Sequence, residues 1–467
     1  MNIKKKLIGS RAFYAMVLGV VVPIMIQNGI TNFVSLLDNI MVGRVGTEQM
    51  SGIAIVNQLL LVYNLAIFGA ISGAGIFGAQ FYGCKDHKGV QRTFRFKLYI
   101  CIALAVLGIL VLFFGGEKLI GLYLHGEGNE EALEATLRYG RDYLLVMLTG
   151  LIPFTVEEIY ASTLRECGET KLPMTAGVTA VCVNLALNYI LIYGKLGAPA
   201  LGVVGAAVAT VISRYVQAFI VIFWTHTHAE RMPFIRGAYR EFSIPAGLAG
   251  NIVRKGTPLM VNEILWAAGI AILNQCYSMR GLDAVAALNI SSTISNLFNV
   301  VFMSMGNAIA IIVGQLLGAG KMEEAKDTDT KLIAFSVISC FVLGAILFVL
   351  SPLFPMIYNT SHEVRILAAD LLRVAACCMP IWAFMHASYF TLRTGGKTII
   401  TFLFDSVFLW VVTTPVAFCL SRFTGMPIVP LYLFCQLLDL IKCVIGFILV
   451  KKGVWLNNIV STEKNDC

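Results

Sequence analysis

Thr163-Leu-Arg-Glu-Cys-Gly-Glu-Thr170 returns 228 positions later as Thr391-Leu-Arg-Thr-Gly-Gly-Lys-Thr398. The same displacement carries Gly197 onto Gly425, Pro199 onto Pro427 and Arg214 onto Lys442. Towards the N-terminus the displacement widens to 235 and holds without a gap. There Pro23 falls on Pro258, Met25 on Met260, Asn39 on Asn274, Gly46 on Gly281, Gln80 on Gln315 and Gly83 on Gly318. Glycines, prolines and basic residues that recur in one order mean two copies of a supersecondary unit joined near the middle. Function is therefore expected between the two halves.

The composition decides the solvent. Of the 467 residues, 58% are hydrophobic and only 13% charged, and the mean hydropathy is +0.79. That much apolar side chain has no place inside a water-soluble core of this length and belongs in a bilayer. A spanning helix takes about 20 mostly apolar residues, and windows of that kind recur along nearly the whole chain. The clearest run from Phe96 to Phe114, Leu172 to Tyr193, Leu201 to Trp224, Leu332 to Leu350, Ile399 to Leu420 and Leu431 to Val450. Six longer windows carry polar residues, among them Tyr143 to Leu164, read as one span. The expectation is an all-α integral membrane protein of twelve transmembrane helices, arranged as two six-helix lobes related by a parallel repeat. The boundaries read as an N-terminal lobe over 1–225, a polar linker over 226–251 and a C-terminal lobe with a short tail over 252–467.

Basic residues set the orientation. Lys4, Lys5 and Lys6 precede the first span; Lys85, Lys88, Arg92, Arg95 and Lys97 follow the second; Arg231, Arg236, Arg240, Arg254 and Lys255 lie around the linker. These read as cytoplasmic loops, which places both termini inside a cell-membrane protein. The net charge of +8 then reflects topology and anionic lipid headgroups, and a nucleic-acid partner is excluded. No cleavable signal is expected, because the first apolar segment belongs to the repeat. The twelve cysteines form no CxxC and read as small packing residues of apolar helices. With no HExxH or GxSxG motif and no loop long enough for a catalytic domain, an enzyme is not expected.

Ionisable groups at bilayer depth cost about 2.5–3.5 kcal/mol each on insertion scales, so each needs a reason. Asp38, with Asn28 and Asn32 on preceding turns, reads as a carboxylate for a hard monovalent ion. Asn184 and Asn188, four apart, share one helix face and offer amide oxygens, although buried amides also serve as interhelical glue. Glu157 and Glu158 are adjacent and point about 100° apart. Under the repeat Glu158 falls on His386, a side chain that titrates near neutrality. Glu263, beside Asn262 and followed by Trp266, pairs a carboxylate with an aromatic face, a combination suited to a lipophilic cation. Glu157, Glu158, Glu263, Trp266 and His386 are the candidate cavity residues. Arg214, Asp439 and Lys442 read as structural, and Asp405 is left open between a partner of these and a cavity group.

These motifs together resemble the MATE (multidrug and toxic compound extrusion) transporters over essentially the full chain. The carriers are Asp38 with Met41-Val-Gly-Arg-Val-Gly46, the run from Gly314 to Gly320 followed by Glu323, Glu324, Ala325 and Lys326, the doubled Leu-Arg-x-x-Gly-x-Thr at Leu164 and Leu392, and the stretch from Asn184 to Gly194. The resemblance implies export of organic cations or drugs, driven by H⁺ or Na⁺ influx, with no cofactor beyond the coupling ion; a single chain is the expected working unit. It also implies an N-terminal cation site at Asp38, Asn184, Asn188 and Thr210. The chain has Asn188 where one branch of the family has a second Asp, and no acid near Trp382, where another branch has one. The rival readings are a flippase of lipid-linked substrates in the same superfamily, disfavoured by the carboxylates, and a major-facilitator transporter, whose loop motif is matched only loosely at Gly83, Asp86, Gly89 and Arg92.

Overall fold

The computed structural model describes residues 7–43, 46–124, 130–241, 243–358 and 360–461, with backbone alone described at 34–40, 42, 43 and 47. Every regular element among them is helical, as a chain in lipid requires, because helices satisfy their backbone polar groups internally. In order they are α1 (Arg11–Gly43), α2 (Thr47–Gly83), α3 (His87–Gly121), α4 (Glu130–Thr149), α5 (Leu151–Glu166), α6 (Lys171–Tyr193), α7 (Gly202–Thr227), α8 (Ala246–Ser278) and α9 (Leu282–Gly318). Then come α10 (Met322–Leu350), α11 (His362–Thr394), α12 (Thr398–Phe402), α13 (Thr414–Phe423), α14 (Ile428–Leu437) and α15 (Asp439–Lys451). Between α12 and α13 the backbone continues as π-helix over Leu403–Val407 and Leu409–Thr413. Among the described residues eleven helical stretches are long and apolar enough to cross a membrane, or twelve if the bent pair α4–α5 is one span.

Residues 143–164, read from sequence as one span, lie in this bent pair. The axis turns by 47° at Gly150. Pro153 has no N–H, and its ring clashes with the carbonyl four residues back, that of Thr149. The carbonyls at the break find donors on α7: Tyr215 Oη donates to Thr149 O at 3.2 Å and Arg214 Nη1 to Gly150 O at 3.4 Å. Arg214 also stands over the Phe154 ring, 4.9 Å from its centroid. Its role is to seal a broken helix.

The contacts resolve into two compact units. One comprises Ile26–Gly78 and His87–Ala249, the other Met1–Met25, Ala79–Asp86 and Gly250–Cys467. In the first unit, the start of the polar linker is packed onto the helices. Arg95 Nε donates to Ala238 O at 2.7 Å and Gln91 Nε2 to Arg236 O at 2.7 Å. Phe94 meets the rings of Tyr160, Phe234 and Tyr239 with centroids 5.1, 5.4 and 6.4 Å away.

Two cations assigned to a loop by sequence are buried instead: Arg95 is 4% exposed and Lys97 is 0%. Lys97 Nζ donates to Glu166 Oε1 at 2.6 Å, Ser162 Oγ at 3.0 Å and Thr163 Oγ1 at 3.1 Å. Glycine makes the room for this pair, since a Cβ on Gly78 would overlap Glu166 Oε2.

The second unit holds two apolar clusters, one around Tyr277, Leu371, Met379 and Leu431, the other around Val17, Ile309, Leu392 and Trp455. At its edge the ends of α2 and α9 cross so closely that a Cβ on Gly83 would overlap the Gln315 carbonyl, and a Cβ on Gly318 the Gln80 carbonyl. The Gln80 side chain ties the crossing down, donating to Thr394 O at 3.1 Å and accepting from Ile459 N at 2.9 Å.

Candidate functional site

Among the described residues, each unit carries a polar network of candidate residues inside otherwise apolar helices. In the first, α6 presents Asn184 and Asn188 one turn apart, 5% and 1% exposed. Asn188 Nδ2 donates to Asn184 Oδ1 at 3.0 Å, and Asn184 Nδ2 donates to Thr210 Oγ1 on α7 at 3.2 Å. Asn184, Asn188 and Thr210 are thus one connected group, as the resemblance implies. The Asp38 side chain lies outside the described residues, but its helix position is fixed by its neighbours. Gln27 of α1 lies against Gly177 of α6, where an added Cβ would meet it at 3.3 Å, and Met41 O accepts from Tyr193 Oη at 3.0 Å. The two helices therefore run side by side in one direction, and the rise of about 1.5 Å per residue brings Asp38 level with Asn188.

The other N-terminal candidates are not part of this network. Glu157 is 2% exposed, with Gln217 as its side-chain partner and with Oε1 lacking one among the described residues. Glu158 faces Arg165 two turns on, at 3.8 Å, on a half-buried surface.

In the second unit, α8 carries Asn262 and Glu263. Asn262 Nδ2 donates to Asp405 Oδ2 at 3.1 Å, and Asn262 Oδ1 accepts from Ser406 Oγ at 2.7 Å. Asp405 and Ser406 lie in the π-helical turn, an element common at functional sites. Lys442 of α15 reaches Asp439 Oδ1 at 3.2 Å and Asp405 Oδ1 at 3.7 Å, above the Phe408 ring. Lys442 is thus shared by Asp405 and Asp439, and Asp405, open in the sequence between a partner and a cavity group, is a partner of Lys442. Arg393 and Asp405 are the charges that act on Glu263. His386 sits between Phe302 and Phe390, ring centroids at 4.9 and 6.2 Å. Trp266 is 39% exposed, and it is Trp410 that bonds to α8, donating to Leu265 O at 2.8 Å.

Sequence reasoning gave Asn262 no role and missed the contribution of Tyr389, to whose hydroxyl Asn262 Nδ2 also donates at 3.3 Å. The available signal was two acids and one base spaced over adjacent apolar windows. Lys442→Met leaves Asp405 and Asp439 without their cation. It is expected to lower stability by about 3 kcal/mol, the low end for breaking a buried pair, since both acids keep some solvent. Thermal unfolding in detergent measures it, and adding Asp439→Asn to that variant should recover part of the loss.

The comparisons with known proteins agree with this architecture. The MatE family model matches residues 23–190 and 258–419, both halves of the repeat. The "Probable multidrug resistance protein NorM" of Thermotoga maritima is 22% identical over 444 residues, covering 95% of this chain and 93% of its own. The "Multidrug resistance protein MdtK" of Edwardsiella ictaluri is 25% identical, covering 77% of each chain. Among solved structures, an outward-facing multidrug resistance MATE family transporter of the MOP superfamily superposes with a TM-score of 0.85 at 19% identity, over 94% of this chain and 96% of its own. With its family model matched across both repeats, the chain belongs to the MATE family of membrane transporters.

Proposed function

We propose that this protein is a secondary multidrug exporter of the cell membrane, working as a single chain with both termini cytoplasmic. It expels lipophilic organic cations in exchange for inward H⁺ or Na⁺ by alternating access. The observation that carries this reading is the Asn184–Asn188–Thr210 network at the height of Asp38. A carboxylate beside amide and hydroxyl oxygens is a seat for a hard cation. Occupation of that seat has a built-in consequence. The Asn188 N–H and an incoming ion compete for the same Asn184 oxygen, so binding the ion trades a side-chain bond within α6 for a bond to the ion. An ion with different affinity for two arrangements of this network shifts the population between them.

The names carried by the relatives, multidrug resistance proteins in both cases, support the cargo class. The basic residues gathered on one side support the orientation. The carboxylates Asp405, Asp439 and Glu263 in the second unit suit a cationic cargo better than an anionic headgroup.

The test is efflux of a fluorescent lipophilic cation from proteoliposomes under an imposed pH or Na⁺ gradient. The protein should drive efflux with one of the two gradients, and Asp38→Asn and Asn188→Leu should each reduce it at least tenfold while the protein remains folded. Efflux that survives both substitutions would overturn the assignment of the coupling site. No efflux under either gradient would overturn the cargo.

A further inference from the structure

Asp329 lies on α10, two turns after Met322, and is 0% exposed. Its Oδ1 is 2.6 Å from the Thr391 hydroxyl oxygen on α11, and its Oδ2 has no hydrogen-bond partner among the described residues. Among the described residues no Lys, Arg or His makes an ion pair with it. The charged and titratable groups around it are engaged or turned away. On α10 itself, Lys321 holds Glu324 at 2.9 Å, Lys331 holds Asp327, and Lys326 is exposed. From α11, Arg393 stands over the Phe390 ring at 5.2 Å. From α1, Arg11 is exposed and the Tyr14 hydroxyl accepts from Gly9 N at 3.1 Å. From α9, the nearest acid in sequence, Asp283, lies at the opposite end of the helix.

The internal repeat provides the comparison. Thr391 is the counterpart of Thr163, whose hydroxyl accepts from Lys97 beside Glu166. The counterparts of Lys97 and Glu166 in the second half are Leu332 and Thr394. One half thus places an ammonium and a carboxylate together at this depth, while the other places a carboxylate alone. An ionised carboxylate without a counter-charge in apolar surroundings is prohibitively costly, and such a group neutralises instead.

We propose that Asp329 is a proton-binding site of the second half. The neutral acid donates its O–H to Thr391 Oγ1, and the Thr391 O–H donates in turn to the Ala387 carbonyl 3.0 Å away, so that each hydrogen is used once. A proton needs no shell of ligands, which suits a site with one hydroxyl beside it. Because the site is closed to solvent, its proton leaves only when the seam between α10 and α11 opens. By linkage, holding the proton favours the closed seam, and opening the seam favours release. This goes beyond the exporter reading: it concerns neither the cargo nor Asp38, and efflux assays can succeed or fail independently of it.

The experiment is infrared difference spectroscopy of the purified protein, with aspartate carboxyls ¹³C-labelled, at neutral pH. The wild type should show a protonated-carboxyl carbonyl band amounting to one carboxyl that Asp329→Asn lacks. Thr391→Val, which removes the acceptor, should shift that band to higher frequency. Added NaCl should leave it in place. Absence of any band difference between wild type and Asp329→Asn overturns the proposal, and so does a band that NaCl abolishes, since a metal ion is then the counter-charge. If Asp329→Asn does not fold, Thr391→Val decides alone: a shifted band supports the site and an unmoved spectrum overturns it.

Discussion

Replacing Lys97 by Met is expected to destabilise the protein by about 3–5 kcal/mol, the range for removing one partner of a buried ion pair. Lys97 is 0% exposed, and its three bonds to Glu166, Ser162 and Thr163 are the reason a carboxylate can sit beneath Gly75 and Gly78. Met keeps the stem length and the packing and removes only the charge. The loss therefore reports the Glu166 carboxylate deprived of Lys97 and not a cavity. Thermal unfolding in detergent should show a large downward shift, and the Lys97→Met/Glu166→Gln pair should restore most of it, because removing both charges of a buried pair is close to neutral. A double variant as unstable as the single one would mean that the loss comes from packing, with the two charges uncoupled.

The second large effect is expected at Gly318→Ala. The single methyl would meet not a side chain that can turn away but the backbone carbonyl of Gln80. Relief requires moving α9 off α2, and Gln80 is itself bonded to Thr394 O and Ile459 N. A cost of about 3 kcal/mol, the upper end for overpacking, should appear as a sharp fall in the monodisperse fraction on size exclusion. Gly83→Ala should behave in the same way, through Gln315. Gly19→Ala is the control. It lies in α1 with nothing within 4 Å of its added Cβ, and is expected to be neutral or to stabilise by up to about 1 kcal/mol. Equal behaviour of Gly19→Ala and Gly318→Ala would dismiss the close crossing as the cause.

Much of this was legible before any coordinates. Hydropathy and the doubled motifs located the helices and their two copies, because both depend on side-chain identity alone. Asn184 and Asn188 were joined by spacing, since four residues bring two side chains onto one face of a regular helix. Asp405 is not assigned by spacing, because its partners Asn262 and Lys442 lie on other helices. A π-helical turn inserts a residue into the helical register, so spacing counted at 3.6 per turn misplaces every side chain beyond it. A count of basic residues has no depth coordinate and puts Lys97 in a loop; only Glu166, 69 positions away, shows why it is inside. The bend at Gly150 was signalled by Pro153, but the donors that make it tolerable, Arg214 and Tyr215, come from a helix about 60 residues on.

The crossing of α2 and α9 also bears on how such a chain arose. Gly83 touches Gln315 and Gly318 touches Gln80, and under the repeat Gly83 corresponds to Gly318 and Gln80 to Gln315. A contact in which one residue meets a second, and the copy of the second meets the copy of the first, is the isologous contact of a two-fold homodimer. Duplication and fusion of a gene for a six-helix subunit would have inherited this contact ready-made, with each glycine already required by the other copy's backbone. The residues that now differ between the halves, Lys97 against Leu332 and Glu166 against Thr394, then mark where a once symmetric pair was freed to divide its labour.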